Sequence, residues 1–156
     1  MVMVRRLQEL LDSQKVPYEV LPHSETYTAQ ETAQVQHISG QQMAKVVMVK
    51  RESGRPVMLV LPASYRVNFA WLREVLHERA TLEQEREFRH LFPDCEVGAE
   101  PPFGNLFGLD TVVDTSLTKD EEIVFNGGSH VQTVKMRYDD YARLVYPKIA
   151  KFAEHL

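Results

Sequence analysis

The chain has 156 residues, a formal net charge of −4, 44% apolar residues and 26% charged residues. That balance fits a single globular domain spanning residues 1–156 and excludes both a disordered chain and a generally basic nucleic-acid binder. The apolar runs fall well short of the ~20 residues of a membrane span, and a lone cysteine, Cys95, rules out an internal disulfide and suits a reducing cytoplasm.

Val4, Leu7, Leu10 and Leu11 recur at helical spacing, and acidic residues follow the early arginines, so the start reads as a first helix and not a signal peptide. "KVPYEVLPH" then turns into a short strand. Thr28 and Glu31 of "TAQE" have capping-box form and predict a helix to about Gln36. "AKVVMVK" and "PVMLVLP" are dense in β-branched residues and flank a turn at Gly54, which predicts a hairpin. Asn68 caps a helix through "NFAWLREVLHE", with Phe69, Leu72, Val75 and Leu76 on one stripe. "TLEQEREFRHLF" predicts another helix, capped by Thr81 with Gln84 reaching back and stopped by Pro93.

"VGAEPPFGN" (97–105) follows, with two prolines to fix φ and two glycines to let a ligand or another backbone come close. It predicts a stiff loop with exposed main chain. "LDTVVD", "EEIVFN" and "SHVQTVKMR" read as strands, the last two joined by a turn at Gly127 and Gly128. "DDYARLVYPKIAKFAEHL" reads as helical, with Pro147 starting a second piece. Helices and antiparallel-type strands without regular βαβ alternation point to an α+β domain around a curled, mixed, mainly antiparallel sheet, a partial barrel with flanking helices.

Two polar residues stand out. Lys45 shares a strand face with Val47 and Val49; it either points along a buried surface, where a lysine needs a charge partner or ligand, or starts the strand and snorkels to water. His130 falls on the apolar face of Val134 and Met136, as a core histidine or a site residue. Asp94 and Glu96 beside Cys95 would raise its thiol pKa and speak against a nucleophile. No metal-ligand spacing, phosphate-cradling motif or GxGxxG is present, and no cofactor is called for. Charge is uneven. Lys45, Lys50, Arg51, Arg55 and Arg66 face only Glu52 in residues 45–66, and residues 129–156 are also basic; the pattern fits a grip on a few phosphates and equally a solvated surface of mixed charge.

A lysine on the first hairpin strand, a G-x-x-x-P loop "GAEPP" and a glycine-flanked histidine form an ordered set. With "YTAQETA", "VMLVLPASYRVN", "VVDTSL" and "YARLVYPKIAKF", the set resembles the YbaK/prolyl-tRNA-synthetase-associated editing domains over nearly the whole chain. The resemblance implies a cytoplasmic, metal-independent trans-editing aminoacyl-tRNA deacylase. Its substrate would be the ester of a mischarged small amino acid (Ala, Ser, Thr or Cys), foremost on tRNA(Pro). It implies Lys45, Gly98 and His130 as catalytic residues. Val46, Val97, Ala99, Glu100, Pro101, Pro102, Phe103, Gly104, Asp114, Asn126 and Ser129 would bind substrate, and the substrate's own ribose hydroxyl would assist. Val46 stands where some relatives have Thr or Asn, and Val97 where many have a second glycine. The partner implied is the acceptor 3′ end of a mischarged tRNA, with an aminoacyl-tRNA synthetase as a further one it allows. Two alternatives stay open: a non-catalytic tRNA- or synthetase-binding module of the same fold, and a hydrolase of another small acyl ester.

Overall fold

The protein, described by a computed structural model over residues 3–156, is organised around the predicted hairpin. β2 (Ala44–Arg51) and β3 (Pro56–Pro62) pair antiparallel from Ala44 opposite Pro62 to Lys50 opposite Pro56. Gly54 turns the chain at φ 100°, a left-handed conformation that glycine takes without a Cβ clash. β3 is the central strand: Val57, Leu59 and Leu61 face one core cluster, while Met58 and Val60 face another. Burial on both faces explains why it reads as an unbroken apolar run.

β3 continues parallel into β6 (Asp110–Asp114), and β6 into β9 (Lys148–Ala150), giving the strand order β5-β2-β3-β6-β9 with β5 (Ala80–Leu82) at the other edge. β1 (Tyr18–Pro22), β8 (Gln132–Arg137) and β7 (Glu122–Asn126) form a three-stranded antiparallel sheet. It joins the larger sheet through one bridge between Met43 and Val124. β4 (Tyr65–Val67) pairs with β10 (Ala153–His155). The result is α+β with a mixed, unclosed sheet system, as the sequence predicts, although its main sheet contains parallel pairs.

α1 (Arg5–Ser13) buries Leu7 and Leu11 on the first cluster, beside Tyr138, Tyr141 and Val145 of α5 (Tyr138–Val145). α3 (Phe69–Leu76) buries Leu72 and Leu76 on the second. The Asn68 side chain accepts the Trp71 amide at 3.1 Å, and Thr28 accepts that of Glu31 at 3.0 Å to start α2 (Ala29–Val35). Among the described residues no helix is long and apolar enough to cross a membrane.

Two predicted helices are corrected. Residues 80–82 form β5 because the outer edge of β2 offers unpaired backbone groups at Val49–Arg51. The helical remainder is one turn, α4 (Glu85–Phe88), capped by Gln84 and Glu87 and followed by a 3₁₀ turn at Arg89–Leu91. At the C-terminus α5 ends at Tyr146 (φ 50°), and the chain beyond Pro147 runs extended as β9 and β10. The carboxylate of buried Asp114 pins that segment. It accepts the amides of Phe152 and Ala153, each at 2.9 Å, besides the amide and hydroxyl of Ser116.

Candidate active site

The loop after α4 is held from below. Residues 99–104 are buried, and Tyr141, itself fully buried, donates its hydroxyl to the Pro102 carbonyl at 2.6 Å. Phe103 packs on Phe125 and on Tyr141, with ring centroids 5.4 and 5.2 Å away. Gly104 is required by space, since a Cβ there would lie 2.2 Å from the Thr111 hydroxyl oxygen. The loop is buried and tied down by these contacts, which corrects the expectation of an exposed main chain. The Gly98 amide donates to the Glu100 carboxylate, Ala99 N–H to the Glu96 carbonyl, and Gly128 N–H to the Ala99 carbonyl. Among the described residues the Val97 amide and the Gly98 carbonyl have no protein partner, and both residues are exposed.

The turn 127–130 docks against this loop through a second bond, Glu96 N–H to the Gly128 carbonyl at 2.9 Å. That docking brings His130 and Gly98 together. A Cβ on Gly98 would sit 3.5 Å from His130 Cε1, an ordinary contact, so it is φ +86° and not crowding that calls for glycine. His130 lies ahead of β8, not on it, which corrects the strand-face reading. It is buried in the loop pair, and its Nε2 donates to the Val97 carbonyl at 2.6 Å. The carbonyl can only accept, so the proton is on Nε2, and in the neutral ring Nδ1 is left as an acceptor. The His130 amide donates to the Glu96 carboxylate at 3.2 Å, and the exposed Tyr27 ring lies 5.0 Å from the imidazole.

Lys45, the second residue of β2, is half-buried. Its ammonium donates to the Ala63 carbonyl at 3.3 Å and meets no carboxylate within ion-pair reach among the described residues. Burial lowers its pKa from the ordinary value. The side chain is thus half-buried and tied to a backbone carbonyl, with no counter-ion among the described residues. Gln30 of α2 donates to the same Ala63 carbonyl at 3.1 Å. The segment 27–30 therefore touches the histidine end through Tyr27 and the lysine end through Gln30.

The remaining predicted residues divide. Val46, partly buried, packs on the first core cluster, and Ala99, Glu100, Pro101, Pro102, Phe103 and Gly104 are buried in the loop. Ser129 is buried and its hydroxyl accepts the Val131 amide at 3.1 Å; Asn126 closes β7 opposite Thr133. Asp114 shows no bond to the loop or to His130, its carboxylate being taken by the four donors of the C-terminal clamp. Burial raises the pKa of Glu100, and burial with the charges of Glu100 and Asp94 pushes the Cys95 thiol up to about 12. No three His, Cys, Asp or Glu side chains among the described residues are grouped to hold a metal ion. Tyr27, Gln30 and Glu96 escaped sequence reasoning as site residues. The "YTAQETA" stretch carries the first two, but nothing in local pattern tells that it folds over this loop.

The model of the aminoacyl-tRNA editing domain matches residues 23–144, a span holding Lys45, the 97–105 loop and His130. The chain belongs to that family. It is 26% identical over 153 residues to the multifunctional Ser/Thr-tRNA deacylase ProXp-y of Escherichia coli K12, covering 95% of this chain and 91% of the relative. Among solved structures, a protein described as a candidate trans-editing enzyme for prolyl-tRNA synthetase superposes with TM-score 0.80 at 22% identity, 96% of each chain being covered. A hypothetical protein superposes with TM-score 0.87 at 20% identity over 96% of this chain and all of its own. Both carry the fold, and neither by itself carries the activity.

Proposed function

We propose that this editing domain is a trans-editing aminoacyl-tRNA deacylase, a single catalytic domain that hydrolyses the ester of a small misattached amino acid, foremost on tRNA(Pro). The observation that carries the reading is Lys45, a half-buried cation whose protein acceptor is a carbonyl and not a carboxylate. A desolvated ammonium without a counter-ion is stabilised by an anionic ligand, and the last phosphodiester of the tRNA 3′ end supplies one. Family membership and the deacylase relative support the same substrate class.

In this reading the aminoacyl end lies between Lys45 and the loop pair. Lys45 holds the phosphate and the carbonyl side, a charge-assisted contact worth about 1.5–3 kcal/mol. The free Val97 amide, and not the occupied Gly98 amide, meets the substrate. His130, its Nε2 anchored on the Val97 carbonyl, keeps Nδ1 to orient water. Water adds to the ester carbonyl carbon, the bond to the ribose oxygen breaks, and the proton passes to that oxygen, leaving free amino acid and uncharged tRNA. The ester is already activated, so orientation and preorganised dipoles carry the rate. Val46 and the loop wall limit side-chain size, although one methylene discriminates by only about 1–3 kcal/mol.

The test is a deacylation panel of alanyl-, seryl-, threonyl- and cysteinyl-tRNA with wild type and Lys45→Ala. Turnover of at least one substrate is expected, with kcat/KM about 10- to 100-fold lower in the variant. Binding without turnover of any substrate would instead identify a non-catalytic tRNA-binding module.

A further inference from the structure

Outside the loop pair the surface carries a cavity of about 370 Å³ between the start of α3, the β4–β10 pair and the 3₁₀ turn Thr115–Lys119. Its lining includes Tyr65, Trp71, Lys119 and Lys151, with Asp114 and Glu154 as the acids. Those two carboxylates are engaged: Asp114 by its four donors, Glu154 by Asn68 at 2.7 Å and Arg66 at 3.5 Å. Lys119 and Lys151 are exposed and meet no carboxylate within ion-pair reach among the described residues. Two exposed ammonium groups without an ion-pair partner therefore line the hollow beside carboxylates already held by hydrogen bonds, which leaves the cations to meet an anionic ligand.

Trp71 stands at its rim, partly exposed, with the Lys151 ammonium 5.1 Å from its ring centroid. Trp71 and Lys151 also border a second hollow that carries Glu74, so phosphate is favoured on the Lys119 side. An exposed indole beside unpaired ammonium groups is the pairing that single-stranded nucleic acid uses: a base on the aromatic face and phosphates on the cations. The place fits the proposed substrate too. Tyr65 follows Ala63, the acceptor of Lys45, by two residues, so their α-carbons lie at most about 7 Å apart.

We propose that the Trp71–Lys119–Lys151 groove is a second RNA-binding subsite, which stacks an unpaired base and holds the adjoining phosphates of the tRNA whose ester lies at Lys45. The inference rests on the deacylase reading for the identity of that RNA, and on the groove's own chemistry for RNA as the ligand. Trp71 is the one tryptophan of the chain, so its emission reports the surroundings of this one indole, and the Lys119 variants assign a change to the groove and not to the hollow beside Glu74. Titration of the full protein with uncharged tRNA is expected to quench it saturably. Lys119→Glu/Lys151→Glu should weaken tRNA binding about tenfold, and the corresponding double alanine should flatten the salt dependence by about 1.5 units of log K per log salt. Unchanged emission at tRNA concentrations that saturate anisotropy of a labelled tRNA overturns the groove, as does wild-type affinity in the charge-reversed protein. Turnover in the deacylation panel without quenching removes the groove alone; quenching without turnover removes the deacylase reading alone.

Discussion

The carboxylate of Glu100 turns back on its own loop and accepts the amide of Gly98 at 2.8 and 3.1 Å. Burial raises the Glu100 pKa, and the Gly98 bond opposes that rise without cancelling it. An acid whose folded pKa lies above its unfolded one contributes stability that is full below the unfolded value and is lost as pH rises through the folded one. Denaturation midpoints of the wild type should therefore fall as pH rises from about 4.5, the ordinary glutamate range. Glu100→Gln should flatten that slope. Asp120, raised to about 6 by burial, acts in the same direction, so Asp120→Asn should remove a separate share of it.

Gly98→Ala places a Cβ in the left-handed region at φ +86°. The backbone cost is about 1–2 kcal/mol. Relief of that strain rotates the backbone next to the Val97 carbonyl that anchors His130, so kcat/KM for the best aminoacyl-tRNA should drop at least tenfold, against a modest loss of thermal stability.

Lys45→Ala should lower kcat/KM by about 10- to 100-fold, the loss expected of one charge-assisted contact. Because burial lowers the lysine pKa, the active cation deprotonates earlier than an ordinary lysine. The alkaline limb of the wild-type pH–rate profile should accordingly fall below the ordinary lysine value. Lys45→Met should lose as much activity yet be no less stable, since it removes a desolvated charge without a counter-ion.

Asp114→Ala leaves four donors without their acceptor. It should cost about 3–5 kcal/mol and free the β9–β10 segment. The loss should appear in Tm and in protease sensitivity near residues 147–156, while kcat of the folded fraction at saturating tRNA is retained. A collapse of that kcat in protein that is fully folded would place Asp114 in the chemistry instead.

Cys95, with its thiol pushed up to about 12, is neutral at physiological pH. Iodoacetamide should modify it far more slowly than a free thiol, and Cys95→Ser should leave deacylation unchanged.

Much of the site was legible as separate pieces. Lys45 stands out because a cation interrupts an apolar strand, and 97–105 because prolines and glycines crowd one loop. Their relation was not legible. His130 reads as a strand residue until the turn 127–130 docks on Glu96 and Ala99 and pulls it out of β8. Glu100 reads as a ligand contact until it is seen occupying the Gly98 amide, which moves the free donor to Val97.

Periodicity and caps alone determined α1, the α2 and α3 starts, the β2–β3 hairpin and the strands β6 to β8, because each element's burial pattern and first hydrogen bonds lie within a few residues of chain. Only the tertiary structure decided the short strands. Residues 80–82 and 148–150 are too brief to carry a period, and they are extended because β2 and β6 present edges whose backbone groups need partners. The C-terminus likewise follows Asp114, nearly forty residues away, rather than its own helical pattern. Local sequence sets where a helix or strand can begin; unpaired edges and buried charges elsewhere in the chain determine what the ambiguous segments become.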